Sequence, residues 1–473
     1  MESLNFPVAA SVAAPTKFAS ISSSRVFRQE REAVRGFFRG VVLATLAGVL
    51  AFSAAVSGAE APLTLAEAQR RAVERSRQIS AQDAAVSGSR EMAVAAGQLP
   101  DPVLKLGIEN LPIDGPDKFS LTNDFMTMSR IGVMQEFTRP QKRQLRAQRF
   151  EREAEKSLAE KTATIASIQR DTALAWLDRY YAETMAAVIA QQAREVKLEI
   201  LAVEGAYRGG RGNQADVFAA HSALVGLEDQ ASEIDRRIRT AKSDLTRWVG
   251  DGADAPLAGK PAIDFIRLDT GVLLDAELAH HPEITVLTKQ EEIASTEARI
   301  AQADKKADWS LEVMYSQRGP SYSNMMSVGV SIPLQWDQRN RQERELASKL
   351  AMAEQARAER EEALRAHVGE VRAMVIEWEN GRERLARYER ELTPLSRERT
   401  RAALTAYQGG KANLTDLLLA RRDEIEVRMQ AVRLEMETAR LWAQLNFLFP
   451  DSAATTRASV PAQSTAIPTK ESK

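Results

Sequence analysis

The sequence contains no cysteine, which excludes disulfide bonds, zinc–thiolate sites and a thiol nucleophile. Aromatic residues make up only 6% of its 473 residues and charged residues 27%, a composition that favours long helices over a compact aromatic core. An excess of one charge is also lacking, since 64 Lys and Arg stand against 65 Asp and Glu. This balance argues against a large nucleic-acid-binding surface.

Motifs of enzymes are missing too: the chain has no Walker loop, no dinucleotide fingerprint and no nucleophile elbow. The four histidines, His221, His280, His281 and His367, show no metal-ligand spacing with carboxylates. We therefore expect a protein that is not an enzyme and that needs no metal ion or other cofactor.

A short hydrophobic run lies near the N-terminus, at residues 41–52, after a basic segment and before small residues. This order is typical of a secretory signal peptide, and we expect cleavage after Ala59. An uncleaved membrane anchor is the alternative. Further along the chain no run of 18 apolar residues occurs, so no transmembrane helix is expected there.

One frame occurs twice, 200 positions apart: Ala-Tyr-x-Gly-Gly-x-x-Asn-x-x-Asp at residues 206–216 and again at residues 406–416. So long a period indicates a duplicated half-protein rather than a solenoid. We predict four regions: an N-terminal extension with the signal peptide (1–59), a first repeat (60–265), a second repeat (266–450) and a disordered tail (451–473). Each glycine pair would form the tight turn between two helices.

Each repeat is predicted to run helix, β-hairpin, very long helix, Gly-Gly turn, helix. The predicted helices cover residues 62–99, 140–203, 214–248, 273–307, 337–406 (interrupted only by Pro394) and 414–449. The last one carries a coiled-coil seam, formed by Ile425, Met429, Val432, Met436, Ala439 and Ala443. Such helices need partners along their whole length.

Between the helices the hydrophobic pattern changes to a period of two, which predicts strands at residues 103–109, 129–137, 309–315 and 326–336. The apolar positions are Leu104, Leu106, Ile108, Trp309, Leu311, Val313, Tyr315, Met326, Val328, Val330, Ile332, Leu334 and Trp336. This alternation suits a membrane β-barrel with a wet lumen or a sheet packed on a soluble core. In the first case Trp309 and Trp336 would anchor the sheet at the membrane interface.

Six of the thirteen methionines fall in the hairpin regions: Met126, Met128, Met134, Met314, Met325 and Met326. Their thioethers are able to hold Cu(I). Methionine is also an ordinary lipid-facing or gap-filling residue.

With these features the chain resembles the TolC-like outer membrane factors of tripartite efflux and secretion systems. The resemblance rests on the duplicated architecture, on the frame at residues 207–216 and 407–416, and on two strand-to-helix junctions. Those junctions, residues 135–143 (QEFTRPQKR) and 331–340 (SIPLQWDQRN), look most like the heavy-metal and cation efflux branch.

The resemblance implies an α+β fold: a long α-helical coiled-coil barrel plus a transmembrane β-barrel shared by a homotrimer, with four strands from each protomer. It implies a passive outer-membrane channel with a periplasmic extension. Its partners would be outer-membrane lipid, a periplasmic adaptor and an inner-membrane pump, and its cargo would be metal cations. Export of drugs, other solutes or proteins by the same kind of duct is an alternative. A periplasmic coiled-coil scaffold without a barrel is an alternative of another class.

The resemblance also assigns roles at the turns. Asp416, and by repetition Asp216, would gate the tunnel entrance, where three carboxylates favour cations. Each could instead be a first-turn helix residue favoured by the helix dipole. The adaptor would contact the turn residues, which are Gly209, Gly210, Arg211, Gly409, Gly410 and Lys411. Arg211 and Lys411 could otherwise cap the preceding helices.

Overall fold

The computed structural model describes residues 62–451, except residues 261, 269, 270, 272 and 273. The described residues lie in one compact unit. The predicted signal peptide, its cleavage site and nearly all of the predicted tail lie outside them. Within the described part, no helix is both long enough and apolar enough to cross a membrane.

The part of the chain that the structure describes contains nine α-helices and four strands. The first repeat contributes α1 (Leu65–Arg75), α2 (Arg77–Ala96), β1 (Val103–Glu109), β2 (Met128–Phe137), α3 (Pro140–Arg208) and α4 (Gln214–Val249). The second contributes α5 (Leu274–Leu278), α6 (Pro282–Asp304), β3 (Trp309–Gln317), β4 (Met325–Ser331), α7 (Gln342–Arg387), α8 (Thr393–Gln408) and α9 (Leu414–Asn446). With 69 residues, α3 is about 100 Å long.

The first helix of each repeat is broken, where the sequence predicted one continuous helix. In the first repeat the break lies at Ser76, whose backbone is extended with φ −67° and ψ 119°. In the second repeat α5 ends at Leu278 and α6 begins at Pro282. Proline disfavours a helical residue before it, which explains the second break. The first break occurs without a proline.

The predicted helix over residues 337–406 also differs in detail. It begins later, at Gln342, because the Asp337 carboxylate accepts bonds from the backbone and side chain of Asn340 in a preceding turn. A π-helical turn, Tyr388–Leu392, separates α7 from α8. Pro394, the second residue of α8, has no N–H to donate, so the hydrogen bonds of the helix are rearranged at this turn. The helix then continues to Gln408.

The four strands form one antiparallel sheet in the order β1-β2-β3-β4. The two hairpins are joined by β2 and β3, whose register runs from Ser129 opposite Gln317 to Phe137 opposite Trp309. The Phe137 and Trp309 rings stack with centroids 4.4 Å apart. β4 ends at Ser331, so the prediction of a strand reaching Trp336 was wrong. Pro333 offers no N–H to the ladder, which accounts for the earlier end.

The main core lies where α3, α7 and α9 pass one another beside the segments that join the repeats. Three tryptophan indoles donate to backbone carbonyls, one just before α1 and two in the segment between the repeats. Trp176 donates to Leu63 at 3.0 Å, Trp378 to Ile263 at 3.1 Å and Trp442 to Phe265 at 2.7 Å. The predicted seam of α9 is confirmed, since its residues pack into this core and into a second cluster against α3 and α4.

Candidate functional site

The two glycine turns have the same geometry. Gly210 and Gly410 both have a φ of 70°, in the left-handed region that favours glycine. The next residue then turns back to the helix: Arg211 N donates to Ala206 O at 2.9 Å, and Lys411 N donates to Ala406 O at 2.8 Å. These bonds satisfy carbonyls that the helix end would leave unpaired. The predicted turns are confirmed.

Both candidate gate aspartates serve as capping residues of the helix after the turn. Asp216 N donates to Asn213 Oδ1 at 2.8 Å, and Asn213 N points back to the Asp216 carboxylate at 3.5 Å. At the second turn Asn413 N donates to Asp416 Oδ2 at 3.3 Å. A carboxylate in the first helical turn also suits the helix dipole. Capping therefore accounts for an aspartate at each position.

The two aspartates nevertheless have different surroundings. The turns pack on each other through Val203, Leu414 and Leu417, which are all buried, with Tyr407 beside them. Asp216 is half-buried and lies close enough to Tyr407 for its charge, together with burial, to raise the pKa of that phenol. Asp416 is exposed. Of the two residues, Asp416 is the more exposed.

Arg211 and Lys411 are exposed at the turns, and their backbone N–H groups already close the preceding helices. Their side chains are thus not required for that closure. Lys411 lies in a notch together with Glu398, Arg401 and Gly409.

The sequence did not predict a buried charge cluster that lies near the turns. Arg421 of α9 donates from Nε to Glu199 of α3 at 3.2 Å and from Nη1 to Glu424 at 3.4 Å. It also pairs with Glu195. Only 11% of the Arg421 side chain and 8% of the Glu199 side chain are exposed. The four-residue spacing of Glu195 and Glu199 puts both carboxylates on one face of α3 and was visible in the sequence. Their partner Arg421 was not, because it lies 222 residues after Glu199 in the chain.

The sheet exposes its apolar face on all four strands, whereas its polar face is partly covered on the central strands β2 and β3. Ile131 and Val133 of β2 are 51% and 47% exposed, whereas Gly132 between them is buried. On β3, Tyr315 is 45% exposed and Met314 only 7%. A sheet packed on a soluble core would bury the apolar face instead.

The polar face carries two cross-strand ion pairs. Lys105 of β1 pairs with Glu312 of β3 at 2.5 Å, and Arg130 of β2 pairs with Glu109 of β1. Trp309 begins β3 and is 40% exposed. Trp336 follows the end of β4 and is 86% exposed. Both tryptophans lie at the end of the sheet that continues into the helices.

Within the described residues, no group of three or more His, Asp or Glu side chains is arranged to hold a metal ion. The His281 and His367 rings lie together with centroids 4.2 Å apart, and Phe449 contacts His281 edge-on. Burial lowers the pKa of both imidazoles. This pair belongs to the packing of α6, α7 and the chain end.

The sequence of residues 273–449 matches the family model "Outer membrane efflux protein". No match was found among curated protein sequences. Solved structures are similar over most of the chain. OprN, an outer-membrane channel, is 18% identical, with a TM-score of 0.70 over 82% of this chain and 90% of that chain.

Two further structures agree with this fold. The outer membrane protein VceC of Vibrio cholerae is 19% identical, with a TM-score of 0.67 over 81% of this chain and 95% of that chain. CusC is 13% identical, with a TM-score of 0.71 over 83% of this chain and 94% of that chain. Proteins of this family are channels and not enzymes. The resemblance found in the sequence is thus confirmed: the chain has the fold of the outer-membrane efflux channels and carries an outer membrane efflux protein domain over residues 273–449.

Proposed function

We propose that the protein is the outer-membrane exit duct of a tripartite efflux system. Three copies would share one 12-stranded β-barrel and one helical tunnel, and metal cations would pass through them without energy input in this protein. The observation that carries the proposal is the sheet, whose apolar side chains are exposed on all four strands. A sheet with an exposed apolar face and a polar opposite face is best suited to contact lipid with its apolar side.

The edges of the protomer support closure by further copies. The sheet has β1 at one edge and β4 at the other, and four strands are too few for a barrel of their own. Pairing β4 of one copy with β1 of the next would remove both edges. Three copies supply twelve strands, so a cyclic trimer fits this arrangement.

The helices repeat the same arrangement. On the side of the sheet, α2 packs on α3, α3 on α6 and α6 on α7; towards the turns, α4 packs on α3, α3 on α9 and α9 on α8. The outermost helices are therefore α2 and α4 on one side and α7 and α8 on the other. They carry exposed apolar residues, among them Val94, Phe218, Val225, Leu350, Ile376 and Leu395. Contact with a neighbouring copy would bury these side chains.

The glycine turns are the proposed docking points for a periplasmic adaptor, and Asp416 is the proposed gate residue. Three copies of an exposed carboxylate near the axis would favour cations. Replacing Asp416 by Asn keeps the shape but removes the charge, and we expect a lower preference for cations in planar-bilayer recordings. Asp216→Asn is the matched control, because its half-buried carboxylate lies beside Tyr407. Equal effects of both variants, or none, would remove Asp416 from the gate.

Imaging of the protein purified from outer membranes in mild detergent tests the duct itself. We expect a three-fold particle with a detergent-covered end and a rod of about 100 Å, the length of α3. A monomer that is released without detergent would refute the duct and favour the periplasmic scaffold.

A further inference from the structure

Three methionines form a diagonal across the polar face of the sheet. Met134 of β2 is directly opposite Glu312 of β3. Met314 lies two residues after Glu312 on β3, so Met134 and Met314 are diagonal neighbours on the same face. Met314 is in turn opposite Ser327, one row from Met325 of β4, which is opposite Ser316. Each step joins neighbouring strands. Residues in diagonal positions are close enough for long side chains to meet.

Methionine on the polar face is unexpected, because a lipid-facing methionine would lie on the apolar face of the sheet. Met326 does lie on the apolar face and is 72% exposed. Met134, Met314 and Met325 share their face with Lys105, Glu312, Arg130 and serines. Gap filling accounts for the buried Met314 but not for Met325, which is 46% exposed at the other end of the diagonal step.

The position of the Met314 sulfur shows that this side chain leans from β3 over β2. A Cβ added to Gly132 would lie 2.6 Å from Met314 Sδ, so this sulfur reaches across from β3 and covers the glycine of β2. Met134 projects from the same strand and the same face, two residues further on. Two residues span about 7 Å along a strand. Met134 and Met314 thus form a diagonal pair of the kind that long side chains bridge.

Two carboxylates of this face are already engaged in ion pairs, and a third, Glu136, lies at the end of β2 next to the helices. Glu312 pairs with Lys105, and Glu109 pairs with Arg130. Hard cations such as Mg²⁺ require free oxygen ligands, whereas thioethers select soft ions such as Cu(I). The diagonal itself offers three sulfur atoms, beside the neutral hydroxyl groups of Ser316 and Ser327.

We propose that Met134, Met314 and Met325 form a thioether path for a soft monovalent cation, Cu(I) or Ag(I), along the polar face of the sheet. In a trimer each copy would supply one such diagonal to the shared lumen. The inference deepens the proposed function, on which its role in transport rests, because it names the class of cation that the duct would favour. Binding without transport requires only the sheet as described.

Silver ion, added as silver nitrate in chloride-free buffer, is the probe, since it needs no reductant. Equilibrium dialysis with the detergent-purified protein measures its affinity, with K⁺ and Mg²⁺ in excess. We expect the triple variant Met134→Leu, Met314→Leu, Met325→Leu to bind at least tenfold more weakly. The control carries Met92→Leu, Met326→Leu and Met352→Leu, which removes three exposed sulfurs elsewhere. It should retain the affinity of the natural sequence.

The particle images of the same samples separate this inference from the proposed function. Loss of silver binding in the diagonal variant alone supports the thioether path, whether or not the particles are three-fold. Three-fold particles with equal silver binding in all proteins would overturn the path and leave the duct intact. X-ray absorption at the silver edge gives a second readout: sulfur neighbours must be present, and a shell of oxygen alone would also overturn the inference.

Discussion

Gly381 of α7 faces Thr438 of α9 so closely that a Cβ on the glycine would lie 2.5 Å from Thr438 Oγ1. The two helices therefore meet through a position without a side chain. We expect Gly381→Ala to force them apart and to cost about 1–3 kcal/mol, as overpacking of a close contact does. Denaturant unfolding of the detergent-solubilised protein, followed by circular dichroism, measures the loss.

Thr438→Ala provides the matching test, because it removes the hydroxyl that the new methyl group would strike. Thr438 Oγ1 also donates to Leu434 O at 2.8 Å, so the single substitution has a cost of its own. The double variant should lose less stability than the sum of the two single losses. Simple additivity would show that the helices do not depend on this contact.

The left-handed φ of Gly410 predicts which residues its turn accepts. An alanine there would meet no atom within 4 Å, so any cost arises from the backbone alone. We expect Gly410→Ala to destabilise by about 1–2 kcal/mol. Asn enters the left-handed region more readily, so Gly410→Asn should cost less. Amide hydrogen exchange near the turn measures both.

Gly226 is the control for this prediction, because it also has open space around its Cβ position but lies inside α4. In a helix, alanine is favoured over glycine by about 1 kcal/mol. Gly226→Ala should therefore slow exchange in α4, while Gly410→Ala accelerates exchange at its turn. The same sign for both variants would contradict the backbone argument.

Arg421 is expected to hold α9 against α3 near the turns. Its replacement by Met would leave Glu199 buried without a cation and Glu424 with only Arg428 at 4.0 Å, at a cost of about 3–5 kcal/mol. Amide exchange in α3 around Glu199 should accelerate in proportion. Arg422→Met is the control, since that neighbouring arginine is exposed. If both variants exchange alike, the buried cluster does not determine local stability.

We expect the buried His281 imidazole to lower the free energy of unfolding in acid. Folding lowers the pKa of its imidazole from 6.5 to about 4, chiefly through burial, with His367 and then Arg170 adding repulsion. The unfolded chain then binds more protons between these two pH values. Stability should be full above about pH 6.5 and should fall towards pH 4, by no more than about 3 kcal/mol.

Thermal midpoints between pH 4 and 7.5 test this dependence. His281→Gln removes the titrating group, so the slope assigned to it should disappear, although the lost ring contacts lower the midpoint at neutral pH. Glu283 and Glu370 face His367 and remain in both proteins. His221→Gln is the control, since His221 is exposed beside Glu204. An unchanged slope in His281→Gln would assign the acid sensitivity to other groups.

Much of the fold could be predicted because its signals are local. The repeated Ala-Tyr-x-Gly-Gly frame predicted both turns, and the structure has the same left-handed glycine in each. The period-two pattern predicted β1 at Val103–Glu109. Errors arose where a single residue decides an end: Ser76 breaks a helix without a proline, and Pro333 follows a strand that ends at Ser331.

The sequence by itself determined the duplication, the helix and strand segments and the two faces of each strand, because periodicity and capping act over a few residues. Only the tertiary structure decided that β2 pairs with β3, that Arg421 meets Glu199 and that three methionines align on the polar face. The first two of these contacts join positions more than 170 residues apart in the chain. They depend on how helices of about 100 Å set the register of distant segments, and no local pattern contains that register.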